Sequence, residues 1–160
     1  MVIKAVPLTA AAFAPFGDVL DVSGTPDKVI NEGWADRFHD RARLDFGPDG
    51  RAGISMFRAR PRVFPYDFQM VERHPEGSQA FIPMSEHPFL VIVARNENGA
   101  PGAPLAFITS PGQGINYHRG TWHGVLTPLS EPGIFAVIDR IGPTPNLIEY
   151  RYQNPWRVGI

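Results

Sequence analysis

FLVIVARNENGAPGAPLAFIT, residues 89–109, is the stretch from which the architecture can be read. Its first six residues are apolar without a break, the pattern of a strand buried on both faces. Residues 96–104 bring Asn, Gly and Pro, a turn composition, and residues 105–109 return to an apolar run. A strand, a turn and a second strand are expected here, and the same rhythm extends in both directions. Upstream, strands are expected over 2–6, 17–22, 53–60, 66–71 (leading into Glu72-Arg73-His74) and 80–84. Downstream they are expected over 114–117, 123–126, 134–140 and 148–152. The 16 glycines and 17 prolines imply many turns and few long helices. Two short helical starts are present: Thr9 as N-cap of residues 10–14, stopped by Pro15, and Thr25-Pro26, a cap followed by proline. Ten or so short strands with regular turns predict a mainly β chain, folded as an antiparallel barrel or sandwich with one or two short helices.

The 160 residues suffice for one domain, 1–160, with one sizeable core. Hydrophobic residues at 43% against 19% charged place the chain among folded rather than disordered sequences. Fifteen basic and 16 acidic residues leave none of the basic excess that nucleic-acid binding requires. Thirteen of the fifteen are arginines, the side chain suited to holding carboxylates bidentately. The lack of cysteine excludes disulfides, thiolate metal sites and cysteine nucleophiles, and fits a cytoplasmic setting. Lys4 inside the first apolar run, with Pro7 and Pro15 breaking it, argues against a secretory leader. No apolar stretch approaches the ~18 residues of a membrane span, so neither a membrane nor nucleic acid is an expected partner.

Polar functional groups concentrate in three segments, 31–40, 72–79 and 114–123. Glu72 and His74 are two residues apart, so on a strand they share a face and can present two metal ligands or an acid–base pair. Gln79 follows after a Pro-x-Gly turn and can return on the next strand. Taken alone, the pair also fits polar groups at a strand end. His118 and His123 are separated by an odd number, which on one regular strand sends them to opposite faces; Gly120 between them favours a turn or bulge. A lone histidine is most often structural, and Trp122 is read as the wall of a core or of a substrate pocket.

These spacings are similar to the paired cupin motifs. For the second motif, Gly112, Gly120 and His123 occupy their positions, with His118 in place of proline and Thr127 in place of asparagine. The first is degenerate: Glu72 stands for a histidine, His74 is retained, and Gln79 replaces the glutamate. The full set of three histidines and one glutamate is absent. A divalent ion would be held by His74, His123 and an oxygen of Glu72, with water completing the shell.

ERHPEGSQAFIPM (72–84) together with GINYHRGTWHGVL (114–126) resembles the ureidoglycolate lyase family, long called ureidoglycolate hydrolases. FAPFGDVL (13–20), the run from Asn31 through Arg37 with His39-Asp40, and Asp139-Arg140 extend the resemblance over nearly the whole chain. It implies a cupin-like β-barrel, a homodimer, nickel as the divalent ion, and cleavage of (S)-ureidoglycolate to glyoxylate and urea in allantoin (purine) degradation. Such an elimination needs a base for the hydroxyl proton, an acid for the departing nitrogen and a cation for the carboxylate. His74 or His123 is the candidate base, with Glu72 orienting it or completing the pair. Tyr117 and His118 are candidate proton donors. Arg37, ahead of Arg140, is the candidate carboxylate anchor, and Gln79 and Asn116 are candidates for hydrogen-bonding the urea amide. Two other functions compete: a ureidoglycolate amidohydrolase releasing ammonia, and a non-catalytic barrel that binds small acids.

Overall fold

The apolar run at 89–94 lies at the centre of the molecule and is buried on both faces, as its pattern predicts. The computed structural model describes all 160 residues. In chain order it contains strands β1 (Val2–Lys4) and β2 (Val6–Pro7), helix α1 (Ala10–Phe13), and strands β3 (Gly17–Leu20), β4 (Lys28–Ile30), β5 (Ala35–Arg37), β6 (Arg51–Ala59), β7 (Tyr66–Arg73) and β8 (Gln79–Pro83). Then follow β9 (Phe89–Glu97), β10 (Ala100–Ile108), β11 (Gly114–Tyr117), β12 (Trp122–His123), β13 (Thr127–Pro128), β14 (Gly133–Ile141) and β15 (Ile148–Gly159).

Two sheets face one another. The larger runs β1-β15-β7-β12-β9-β10-β2, with β13 also on β9; the smaller runs β3-β11-β8-β14-β6. Strand alternation sends Phe89, Val91 and Val93 toward the smaller sheet, where they meet Phe81, Ile115, Phe135 and Val137 in the main core. Leu90, Ile92 and Ala94 point the other way, into a second cluster with Phe68, Val71, Trp122 and Val158. Burying each large apolar side chain contributes roughly 1.5–3 kcal/mol, so a strand with two buried faces anchors both layers. The N-terminal segment bridges the two edges of the larger sheet, because β1 lies parallel to β15 and β2 parallel to β10. The result is the cupin-like β-barrel with little helix that the strand count and the motifs predict.

Helix α1 forms where expected: Thr9 caps it, its hydroxyl accepting from the Ala12 N–H at 3.2 Å. The second helical start does not develop. Past Thr25-Pro26 the chain has no helical apolar stripe, and β4 and β5 instead pair as a separate two-stranded hairpin. Its tip is a 3₁₀ turn in which Asn31, Glu32 and Gly33 all have left-handed φ (53°, 57° and 93°). The expected turn at 96–104 shrinks to Asn98-Gly99, whose φ values of 54° and 92° suit a two-residue hairpin turn. The prolines that suggested a longer turn sit at a bulge between Pro101 and Pro104, where a missing N–H costs little. The strand expected at 123–126 is interrupted, with β12 and β13 flanking residues 124–126.

Candidate active site

Strand register converges six polar side chains on one end of the barrel interior. His123 stands opposite Glu72, Tyr117 opposite Gln79, and Gln79 opposite Asp139. The i, i+2 spacing of Glu72 and His74 does place both on one face, with Oε1 and Nε2 4.0 Å apart. Gly120, at φ 78°, makes the turn that carries His123 inward. One ligand atom from each of Glu72, His74 and His123 lies within 4.8 Å of the others.

Hydrogen bonds define the state of each ring. His123 Nδ1 faces the Gly124 carbonyl at 3.0 Å, so Nδ1 carries the hydrogen. Its Nε2 is then a bare lone pair, buried and without a partner. The ring stacks on Tyr117, centroids 4.1 Å apart and planes 7° from parallel, and lies 5.2 Å from the His74 ring. Burial, aided by the neighbouring His74, pushes the His123 pKa down to about 3, so the ring is neutral at pH 7.

His74 differs. Its Nδ1 donates to the Asn146 carbonyl at 2.7 Å, and its Nε2 faces Gln79 Oε1 at 3.1 Å. Gln79 cannot flip without cost, because its Nε2 donates to Asp139 Oδ2 at 3.1 Å. The amide oxygen is therefore aimed at His74, and both contacts are satisfied only when both ring nitrogens carry hydrogen. Burial raises the Glu72 carboxyl above its ordinary range; His74 opposes this and Glu149, its cross-strand neighbour, adds to it. Burial and the Glu72 charge both raise the Tyr117 phenol, which stays protonated. A carboxylate of raised basicity, an N–H donor and a bare imidazole lone pair thus meet at one point. Such a set can move protons at a substrate or hold a divalent ion. Asp139→Asn, which releases the Gln79 amide to rotate, is expected to reduce turnover by about 10- to 100-fold with little change in melting temperature. Steady-state kinetics alongside thermal unfolding checks it.

The remaining predicted residues are not brought to this cluster. His118 pairs with Asp18 at 2.9 Å and leans on Arg43. Asn116 is fully buried behind it, donating to Asp18 and to the Arg43 carbonyl. Trp122 belongs to the second core, its indole N–H donating to Asn96 and the Arg73 guanidinium stacked on its face. Arg140 is a buried staple: its guanidinium donates to the Phe46 carbonyl and to Thr144, tying two loops to β14. Arg37 is exposed on the β4–β5 hairpin. Asp139, Asn146 and Glu149 were missed. Asp139 shares inward parity with Phe135 and Val137, a signal the alternation of β14 carried; Asn146 acts through its backbone, which no side-chain pattern reveals.

A family model described as "Ureidoglycolate lyase" matches residues 1–159. A ureidoglycolate lyase of Rhodobacter capsulatus is 58% identical over 149 residues, 93% of this chain and 92% of that one. Similar proteins of the same name from Mesorhizobium japonicum (53% identical, 99% of this chain and 98% of that one) and Chelativorans sp. (50%, 99% and 96%) align over nearly their full lengths.

Proposed function

Because this chain belongs to the ureidoglycolate lyase family, we propose that it cleaves (S)-ureidoglycolate to glyoxylate and urea at the Glu72–His74–His123 cluster. The observation that carries the reading is the meeting of a proton acceptor and a proton donor around a buried, unpartnered imidazole nitrogen. Glu72, more basic than an ordinary carboxylate, takes the hydroxyl proton. The O–H electrons form the aldehyde of glyoxylate, and the C–N electrons leave with the urea nitrogen, which takes a proton from His74 Nε2. His123, held neutral, is a poor base; its bare Nε2 accepts a hydrogen bond from a ureido N–H of the substrate and orients it, leaving the hydroxyl proton to Glu72. Gln79, fixed by Asp139, positions His74.

The donor set also fits a divalent ion, since a buried imidazole nitrogen that carries no proton and has no partner is a ready ligand. His123, Glu72 and His74, the last after giving up its Nε2 proton, would hold it, nickel being the ion the family implies. When bound, it polarises the hydroxyl and carboxylate oxygens of the substrate.

In this reading the chain works as one domain, in allantoin and purine degradation, in the cytoplasm, and as a homodimer. A homodimer is supported by the apolar outer face of the smaller sheet, where Ile54 is 75% exposed and Met56 60%. The test is a product assay on racemic ureidoglycolate against an enzyme-free blank, with and without chelator. Glyoxylate and urea are expected in equal amounts from one enantiomer. Ammonia in place of urea would make the chain an amidohydrolase, and binding without turnover a small-acid-binding barrel.

A further inference from the structure

The β4–β5 hairpin adds no strand to either of the two large sheets. Its strands pair only with each other, and neither joins a sheet of the barrel. Two-stranded hairpins are marginal alone in water. Yet this one ends in a turn with three consecutive left-handed residues and displays Trp34 at 89% exposure. Backbone strain of this kind persists where the surroundings fix it.

The hairpin is also charged in a specific way. Lys28 and Arg37 are cross-strand partners and share a face. Neither forms an ion pair, and Arg37 makes no side-chain hydrogen bond. The catalytic cluster has the opposite need. Glu72, Asp139 and Glu149 gather there, and the one nearby buried arginine, Arg140, is committed to Phe46 and Thr144. A substrate carboxylate entering this site meets acidic groups and requires a cation. Arg37 cannot supply it to its own site. Its neighbours Asp36 and Phe38 border a cleft with Leu20, Glu86 and Gly112. Leu20 and Gly112 lie at the end of the β3–β11 pair away from Tyr117, a full strand length from Gln79.

We infer that the hairpin is an arm exchanged between two copies of the chain, so that the partner's Arg37 reaches each site past the exposed Glu149 and holds the substrate carboxylate. The complementarity of the Lys28–Arg37 face with the Glu72–Glu149 strand pair selects a second copy as the occupant. Ile54 and Met56, on β6 at the unpaired edge of the smaller sheet, offer an apolar seat for Trp34. The inference rests on the proposed lyase reading, and each active site is then incomplete in a single chain.

The test is subunit complementation. Arg37→Ala and His74→Ala chains, each strongly impaired alone, are co-expressed with different tags. Random pairing puts half of the molecules in mixed dimers, each with one intact site of two, so about one quarter of wild-type activity is expected to return. Arg37→Ala alone is expected to raise KM about tenfold or more. A mixture that stays inactive overturns the inference, as does an Arg37→Ala enzyme with wild-type KM; the latter would move the anchor to Arg151, which stands opposite Met70 in the same strand pair as Glu72. A second readout needs no turnover. The chain has no cysteine, so an Arg37→Cys, Glu149→Cys double variant should form a covalent dimer on a non-reducing gel, and each single variant should not pair in this way. A double variant that runs as a monomer overturns the arm exchange. A wild-type chain that releases no urea removes the lyase reading instead and leaves the cross-link to decide the arm.

Discussion

Glu72→Gln is expected to lower kcat on (S)-ureidoglycolate by about 10²–10⁴-fold while leaving the fold intact. The substitution keeps the shape and the hydrogen-bonding reach of the side chain but cannot accept the hydroxyl proton. Burial makes the native carboxylate a stronger base than an exposed one, and its position opposite His123 and 4.0 Å from His74 places it beside both rings. Urea release at saturating substrate, corrected for the spontaneous breakdown of a labile carbinolamide, measures the effect. A variant within a few-fold of wild type would remove Glu72 as base. Unchanged thermal unfolding of the variant would show that the loss is chemical, since burying a neutral amide in place of a carboxylate is no harder on the fold.

The largest stability effect is expected at Phe135. This ring is almost fully buried in the main core and meets Phe89 edge-on, with centroids 5.0 Å apart and planes at 81°. Its strand, β14, sits between β8 and β6, so a cavity there loosens the smaller sheet from the larger. Phe135→Ala is expected to destabilise by about 3–5 kcal/mol. For a chain of this length that corresponds to a fall in melting temperature of roughly 6–20 °C. Calorimetry checks it; a shift of a degree or two would mean that the core collapses around the gap.

What was legible in the sequence follows from what burial imposes. FLVIVA announced its strand because both faces are covered, and GINY (114–117) was bounded correctly because its flanking turns are polar and glycine-rich. The β4–β5 hairpin was illegible for the opposite reason. With Val29 and Trp34 exposed and no core to face, it has no apolar period, and Thr25-Pro26 offered a false helical start. The cluster was legible in part. Glu72, His74, Gln79, Tyr117 and His123 could be named from spacing and resemblance, and they do converge. Arg140 and Asn116 stand out by chemical type, but type alone cannot tell a guanidinium or an amide aimed at substrate from one that ties loops together. The task of Asp139 is not legible in the sequence, because it fixes Gln79 through an interaction between strands 60 residues apart.

The pairing of β1 with β15 has a consequence for biosynthesis. Val2, Ile3 and Lys4 find their partners in Arg157, Val158 and Gly159, so the start of the chain waits unpaired until residues 148–159 have left the ribosome. The larger sheet therefore closes only once β15 has emerged, with the first strand held open on the nascent chain until then. Such long-range closure is slow. Until it happens Ile3, Val158 and their neighbours are available to chaperones, and a ribosome stalled before codon 148 would present an open sheet edge.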